Sequence, residues 1–350
     1  MWGITPHKNG YAIFNKTQKP DVIEFEKNLK ENLLLLRTEL LLHSYKPKQL
    51  KTFVIRDPKT RKISKSDFRD RVVHHALCNI IEPHYERKFI FDSYANRKGK
   101  GTLKAIQRFD FFKRKSSKNN TRTCFVLKAD IRHYFETVDH QALLSIIKEK
   151  IKDGRILQLI KIILSNYVTK EKGKGMPLGN LTSQFFANVY LDKLDQFAKH
   201  KLKARYYIRY VDDFVMIHNN KDVLEDYKKQ TDAFISGELN LILHPDKSKI
   251  ITIKKGVEFL GFRTFYHHRL LKQKNIKKFR RKLSQLKAEY DVKKIDYNCV
   301  YEFWQGWTAY AINASTYNLR QNMAVKFQNY FPNEISSIEI DRHLKVLEHG

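Results

Sequence analysis

Apolar residues recur along this chain with two different periods, and the switch between them near residue 121 organises the reading. Pro20-Asp21 opens a predicted helix reaching about Tyr45, with Ile23, Phe25, Leu29, Leu33, Leu36 and Leu40 at helical spacing. Lys51 to Ile63 alternates as a β-hairpin does, with its turn at Asp57-Pro58-Lys59-Thr60. A helix from Asp67 to about Arg87 follows, then the glycine- and lysine-rich loop Asn96 to Thr102 and another helix. Beyond residue 121 the pattern predicts a strand over Thr123–Ile131 and a helix over Asp139–Ile151. A helix over Leu181–Lys203 precedes a hairpin over Arg205–His218, a helix over Asp222–Glu238 and a strand over Leu241–Ile253. That order, β-α-(α)-β-β-α-β, is a split βαβ, ferredoxin-like sheet. A hairpin over Val257–Tyr266 leads into a basic helix from about Asn275 to Tyr290. Ile276, Phe279, Leu283 and Leu286 line one of its faces, and Lys277, Lys278, Arg280, Arg281 and Lys282 cover the others.

Charge narrows the class. The 350 residues carry 67 Lys+Arg against 37 Asp+Glu, a formal charge of +30. Such self-repulsion suits a protein that displaces counterions from phosphates rather than an enzyme of small metabolites. The hydrophobic share of 42% is enough for a sizeable core, so extensive disorder is not expected. Cys78, Cys124 and Cys299 are isolated and form no CxxC pair. Neither a disulfide framework nor a zinc ribbon is supported, and a reducing, cytoplasmic setting is expected. His74-His75 and His267-His268 also lack companions at zinc-binding spacing. The N-terminus lacks the features of a signal peptide, and the longest apolar run, Leu33–Leu36, is too short to cross a bilayer, so no membrane association is expected.

The chemistry concentrates in Tyr207-Ile-Arg-Tyr-Val-Asp-Asp-Phe-Val-Met-Ile217, where Asp212 and Asp213 sit at the junction of two apolar strands. Two anions at such a turn are costly unless a cation neutralises them. A third carboxylate, Asp130, ends the upstream strand, which the ferredoxin-like layout sets beside the hairpin. Three converging carboxylates suit hard cations that take oxygen ligands, Mg²⁺ above all. Two such ions can activate a hydroxyl and stabilise a departing pyrophosphate.

Tyr210-Val-Asp-Asp213 matches the YxDD box of reverse transcriptases, and the resemblance runs from roughly Thr52 to Phe265 with the motif blocks in family order. The resemblance implies an α+β, right-hand polymerase. Its N-terminal arm and helix would span residues 1–50, its fingers 51–120, its ferredoxin-like βαββαβ palm 121–266 and its basic helical thumb 267–350. Two Mg²⁺ ions, with Mn²⁺ as the alternative, would be held at Asp130, Ile131, Asp212 and Asp213. Phe135 falls where the family places an aromatic steric gate that selects deoxynucleotides, with a core phenylalanine on a strand-to-helix turn as the rival reading. Arg56, Lys59, Arg61 and Lys62 lie on the finger hairpin, and Arg61 ranks first, ahead of Lys59, for gripping the incoming triphosphate. Lys247 falls where the family has a lysine near the nucleotide phosphates, although a solvated strand-end lysine is an equal reading. Phe259-Leu260-Gly261-Phe262 resembles the primer-grip hairpin, with an ordinary hairpin glycine as the rival reading of Gly261. Lys98 and Lys100 in the glycine-rich loop, with Lys277, Lys278, Arg280 and Arg281, are candidates for nucleic-acid backbone contact.

The segment Leu178-Gly179-Asn180-Leu181-Thr182-Ser183-Gln184 carries the subtype. Retroviral and intron-encoded relatives typically read Gln-Gly-x-x-x-Ser-Pro here. Leu stands at the first position of this chain and Gln at the last, which resembles the bacterial reverse transcriptases of diversity-generating retroelements. Gly179, Ser183 and Gln184 would then border the nucleotide pocket, and copying is expected to be of low fidelity. The resemblance implies an RNA template, a primer or cDNA and dNTPs as partners, with a small basic accessory protein. The stretch after the last hairpin suits a helical thumb rather than a ribonuclease H domain. An antiphage-defence enzyme copying a noncoding RNA and a maturase-like RNA-binding protein are the alternatives.

Overall fold

The computed structural model describes residues 19–56, 60–169, 171–332 and 334. The chain divides into two compact units. The first comprises Met1–Gly101, Leu127–Met216 and Asp222–Lys249, and the second Thr102–Val126, Ile217–Lys221 and Ile250–Gly350.

In the first unit the predicted N-terminal helix is two helices, α1 (Pro20–Lys27) and α2 (Leu29–Leu41), broken at Asn28 with φ −123° and ψ 44°. The break lets Val22 and Phe25 be buried together with Leu36 and Leu40, while Ile23 stays 42% exposed. A continuous helix on the predicted stripe would have buried Ile23. The hairpin forms as expected from β1 (Lys51–Ile55) and β2 (Arg61–Lys65), with Ile55 opposite Arg61. Its tip, including Lys59, lies outside the described residues. Next, α3 (Phe68–Glu86) begins where the Asp67 carboxylate accepts from Arg69 N at 3.2 Å. Asp21 receives both Lys65 and Arg71 at 2.7 Å and so fastens β2 and α3 to α1.

A four-stranded sheet follows, of β3 (Phe125–Asp130), β4 (Tyr207–Tyr210), β5 (Asp213–His218) and β6 (Lys249–Thr252), in the order β4-β5-β3-β6. This is the ferredoxin-like order, with the first strand between the third and the fourth. Between β3 and β4 run α5 (Tyr134–Thr137), α6 (His140–Lys148), α7 (Gly154–Ser165) and α8 (Leu181–Gln196), and a π-helical turn, Phe197–Lys201, prolongs α8. α7 was not anticipated by the pattern. Helix α9 (Lys221–Leu239) leads towards β6, which is shorter than predicted. Pro245 has no N–H to give a ladder, and a turn closed by Ser248 N on His244 O (3.0 Å) delays the strand until Lys249.

The second unit contains α4 (Thr102–Ser116), a three-stranded sheet of β7 (Val257–Phe259), β8 (Phe262–Thr264) and β9 (Arg269–Leu271), and α10 (Gln273–Asp291), α11 (Tyr297–Ala311) and α12 (Tyr317–Tyr330). The third strand extends the predicted hairpin. Helix α10 buries Ile276, Phe279, Leu283 and Leu286, as its stripe predicts. Phe279 stacks on Trp307 at 3.9 Å, and Trp304 stacks on Phe327 at 4.7 Å. Both tryptophans therefore serve the core of this unit. Among the described residues no helix is long and apolar enough to cross a membrane.

Candidate active site

The carboxylates are set by two strand ends of the first unit. Tyr210 and Asp213 pair across the β4–β5 hairpin, leaving Val211 and Asp212 as its two-residue loop. Val211 has φ +56°. That is the pattern of a type II′ turn, in which glycine is the usual first residue, so a β-branched side chain here is strained. Asp130 ends β3, the neighbour of β5. Its carbonyl accepts from His244 N at 2.7 Å. Ile131 is buried and bridges to Leu243.

Asp130 lies near enough to Asp213 for its charge to act on the Asp213 carboxyl. Burial pushes Asp213 up from the ordinary carboxylate range, Lys128 opposes the rise, and Asp130 adds to it. Burial first, then the charge of Asp213, pushes Asp212 up to about 6. Buried carboxylates beside other carboxylates resist ionisation unless a cation compensates them. Lys247 supplies part of that charge through an ion pair to Asp130 at 2.8 Å, with its side chain 40% exposed. The sequence reading placed Lys247 near nucleotide phosphates; here its ammonium rests on a carboxylate of the triad.

Whether these residues suit a metal follows from their chemistry. Among the described residues no three His, Cys, Asp or Glu side chains are arranged to hold a metal by themselves. Mg²⁺ rarely uses an all-protein cage; it binds one or two carboxylates and completes its shell with water and substrate phosphates. A partial set of hard oxygen donors carrying excess negative charge fits that habit.

Around the triad the first unit brings several predicted residues into order. Gly179 has φ +111°, and a Cβ there would meet Ile63 Cγ2 at 3.0 Å. Ser64 N donates to Leu178 O at 3.1 Å, and Ser66 N to Asn180 Oδ1 at 3.1 Å. The loop of Leu178 and Gly179 is thus laced to the strand that carries an exposed Arg61. Ser183 is buried and Gln184 half-buried in the first turn of α8. Phe135 is half-buried on α5, edge-on to Tyr134 at 5.4 Å. Its carbonyl accepts from Met176 N at 2.6 Å, which anchors α5 to the segment entering the same loop. Lys98 is exposed, whereas Lys100 donates to Phe91 O at 2.8 Å and covers the Phe91 ring.

The sequence reading missed the support beneath the turn. Arg209, fully buried, forms a two-pronged pair with Asp195 at 2.7 and 2.6 Å. Its Nη1 also donates to Asn188 Oδ1 and to Val211 O, each at 3.1 Å. Tyr207 donates to Asp195 at 2.7 Å, and Asn188 Nδ2 to Ala95 O at 2.8 Å. The signal was available: one arginine inside an otherwise apolar strand demands a buried partner.

Other predicted residues lie in the second unit. Leu260 and Gly261 both have positive φ, +46° and +93°. Gly261 O accepts from Tyr310 Oη at 2.9 Å and Lys272 N at 3.2 Å, and a Cβ on Gly261 would meet Tyr310 Oη at 2.8 Å. The turn and Tyr310 alone account for this glycine. Lys277, Lys278, Arg280 and Arg281 are all exposed on α10.

Residues 47–264 match the family model described as reverse transcriptase (RNA-dependent DNA polymerase). The chain belongs to the reverse transcriptase family. This reverse transcriptase is 27% identical over 308 residues to protein YkfC of Escherichia coli, covering 77% of each chain. It is 24% identical over 271 residues to the group II intron-encoded protein LtrA of Lactococcus lactis, covering 58% of this chain and 44% of LtrA. In fold it is similar to telomerase of Candida albicans, solved with a fragment of telomeric RNA. There the TM-score is 0.52 at 12% identity, over 82% of this chain and 55% of the other. The apo telomerase of Candida tropicalis gives a TM-score of 0.50 at 13% identity, over 63% and 48%. The chain thus spans about half of each telomerase, and these likenesses support the right-hand polymerase fold.

Proposed function

We propose that this reverse transcriptase extends a primer on an RNA template by nucleotidyl transfer at Asp130, Asp212 and Asp213. The observation that carries the reading is that Asp130 ends β3 while Asp212 and Asp213 stand at the braced turn into β5, the neighbouring strand. In the reaction the primer 3′-hydroxyl gives its proton to solvent as its oxygen bonds to the α-phosphorus, the bond to the β-phosphate oxygen breaks, and pyrophosphate leaves with the electron pair. Divalent ions, when bound by the three carboxylates, would supply charge neutralisation for the attacking and leaving oxygens. Arg61, on a strand laced to the Gly179 loop, would bind the triphosphate. Lys247 would exchange its hold on Asp130 for substrate phosphate as the nucleotide enters. Phe135 would exclude a ribose 2′-hydroxyl.

Primer extension on a primed RNA tests the reading. Asp212→Asn and Asp213→Asn should each lower extension at least about a thousandfold, a range typical for loss of charge stabilisation at a reacting centre. RNA affinity should be retained. Extension that survives in the double variant would overturn it.

Low-fidelity copying within a diversity-generating retroelement is the subtype we favour, and it rests on Leu178 and Gln184 in the altered loop. Sequencing of cDNA from a defined RNA should then show excess errors opposite adenines, and an even error spectrum would remove this subtype. A maturase-like RNA-binding role is the second reading, favoured by the likeness to intron-encoded LtrA. Wild-type protein that binds structured RNA but never extends a primer would select it.

A further inference from the structure

Within the second unit a cavity of about 450 Å³ lies apart from every residue assigned above. Its walls come from the end of α4, the loop after it, the β8–β9 turn and the α11–α12 turn. Arg114, Asn119, Asn120, His267, His268 and Arg269 are the side chains that matter.

These walls are fastened. Asp110 takes Arg269 Nη2 at 2.9 Å and Lys113 Nζ at 3.3 Å, and Lys113 also donates to Phe265 O at 2.9 Å. Ser315 N donates to Arg269 O at 2.7 Å, tying the α11–α12 turn to β9. In the loop, Lys118, Asn119 and Asn120 are three successive left-handed residues, with φ +48°, +59° and +68°. Such a run is strained, and Ser117 holds it by accepting from Asn120 N at 2.9 Å.

The charge is unbalanced. Asp110 is the one carboxylate among the lining residues, against Lys113, Arg114 and Arg269. Arg114 is exposed and makes no carboxylate pair among the described residues. Arg269 Nε is buried without an acceptor, a condition that native structures rarely leave unexplained. Beside these cations stand amides, which can both donate to and accept from base edges. His268 is exposed, and the Phe265 ring, stacked on one of its faces at 4.6 Å and 17°, fixes the imidazole so that the other face can take a base.

We infer that this cavity binds one nucleotide of a single-stranded nucleic acid, with its phosphate on Arg114 and Arg269 and its base on His268. Guanidinium forks match phosphate oxygens, histidine rings stack unpaired bases, and the volume lies in the range of small-ligand sites. An acidic peptide would satisfy the arginines but leave the amides and the stacked imidazole without use. The inference rests on the family's traffic in nucleic acid and not on the triad's activity.

Photocrosslinking with an octamer carrying 5-iodouridine tests it, using the full chain, with mass spectrometry of the crosslinked peptides. The octamer should attach to the peptide containing Tyr266–His268. Arg114→Glu and His268→Ala, both at exposed positions, should each reduce the yield about tenfold, the scale of one lost stacking or phosphate contact. His268→Phe should restore it. RNA and DNA octamers run in parallel, and capture of either supports the site and identifies the strand it takes. Asp212→Asn/Asp213→Asn should leave the crosslink intact, and Arg114→Glu should leave extension of a short primed template intact, so failure of one reading does not carry the other. Crosslinks that ignore Arg114 and His268, displacement by a glutamate oligopeptide but not by unlabelled octamer, or binding of free mononucleotide alone would each overturn the inference.

Discussion

At the scale of residues, the turn that carries Asp212 and Asp213 is held against its own preference. Val211 sits in a left-handed conformation that costs on the order of 1–3 kcal/mol for such a side chain. Arg209 Nη1 on the Val211 carbonyl is the contact that fixes it. Arg209→Met would leave Asp195 buried and unpaired, a loss of about 3–5 kcal/mol of stability. The double variant Arg209→Met/Asp195→Asn removes both charges and should recover most of that stability, while kcat for extension stays at least about tenfold down because the turn has lost its brace. If kcat recovers along with the melting temperature, Arg209 is a core residue only. Phe135 calls for a different measurement. Phe135→Ala should raise the efficiency of ribonucleotide incorporation relative to deoxynucleotide by about tenfold or more, the worth of one steric contact. Single-nucleotide extension with matched rNTP and dNTP reads this ratio, and an unchanged ratio assigns the ring to packing.

Elements show why the sequence was readable in places and silent in others. The β4 and β5 strands were legible as short apolar runs buried on both faces, and α10 by its periodic stripe, because both signals are local. The break at Asn28 was not, since it answers to burial of Val22, Phe25, Leu36 and Leu40 at once. Nor was the delay of β6, where one proline and a tight turn overrule an alternating pattern. The placement of Asp130, Asp212 and Asp213 at neighbouring strand ends was legible because the apolar strands on either side fix where the turn must fall. The support of that turn was not, because Asp195 and Asn188 lie 14 and 21 residues before Arg209 on a different element, and only the way α8 packs on β4 pairs them. Helix α3 adds a consequence for pH. Burial, followed by the charges of His75 and Arg71, pushes His74 down to about 4, and its Nδ1 has no partner. A histidine with a depressed folded pKa contributes its stability in full above about 6.5, the unfolded value, and loses it as pH falls from there towards 4. Over that window the loss approaches about 3 kcal/mol. Denaturant midpoints followed from pH 7 to 4.5 should fall more steeply for wild type than for His74→Leu. Parallel slopes would show that His74 does not titrate with unfolding.

For the whole molecule, the excess of +30 is spread over both units, and the question is whether it acts as a diffuse field or through placed contacts. A diffuse field would be eroded equally by removing any four lysines. Placed contacts release counterions one for one, so the slope of log affinity against log salt changes only where phosphates are touched. Helix α10 presents Lys277, Lys278, Arg280 and Arg281 on its exposed side, while its apolar stripe is fully committed to the core. Neutralising these four to Gln should flatten the salt slope for single-stranded RNA by about three, at ~0.7 per phosphate contact. A matched control, neutralising the exposed Lys148, Lys150, Lys152 and Lys161 of the first unit, keeps the net charge of the two variants equal. If α10 makes phosphate contacts, the control holds the wild-type slope and the α10 variant does not. Equal flattening in both would mean that this chain holds RNA by its total charge, and the basic face of α10 would then be an ordinary solvated surface.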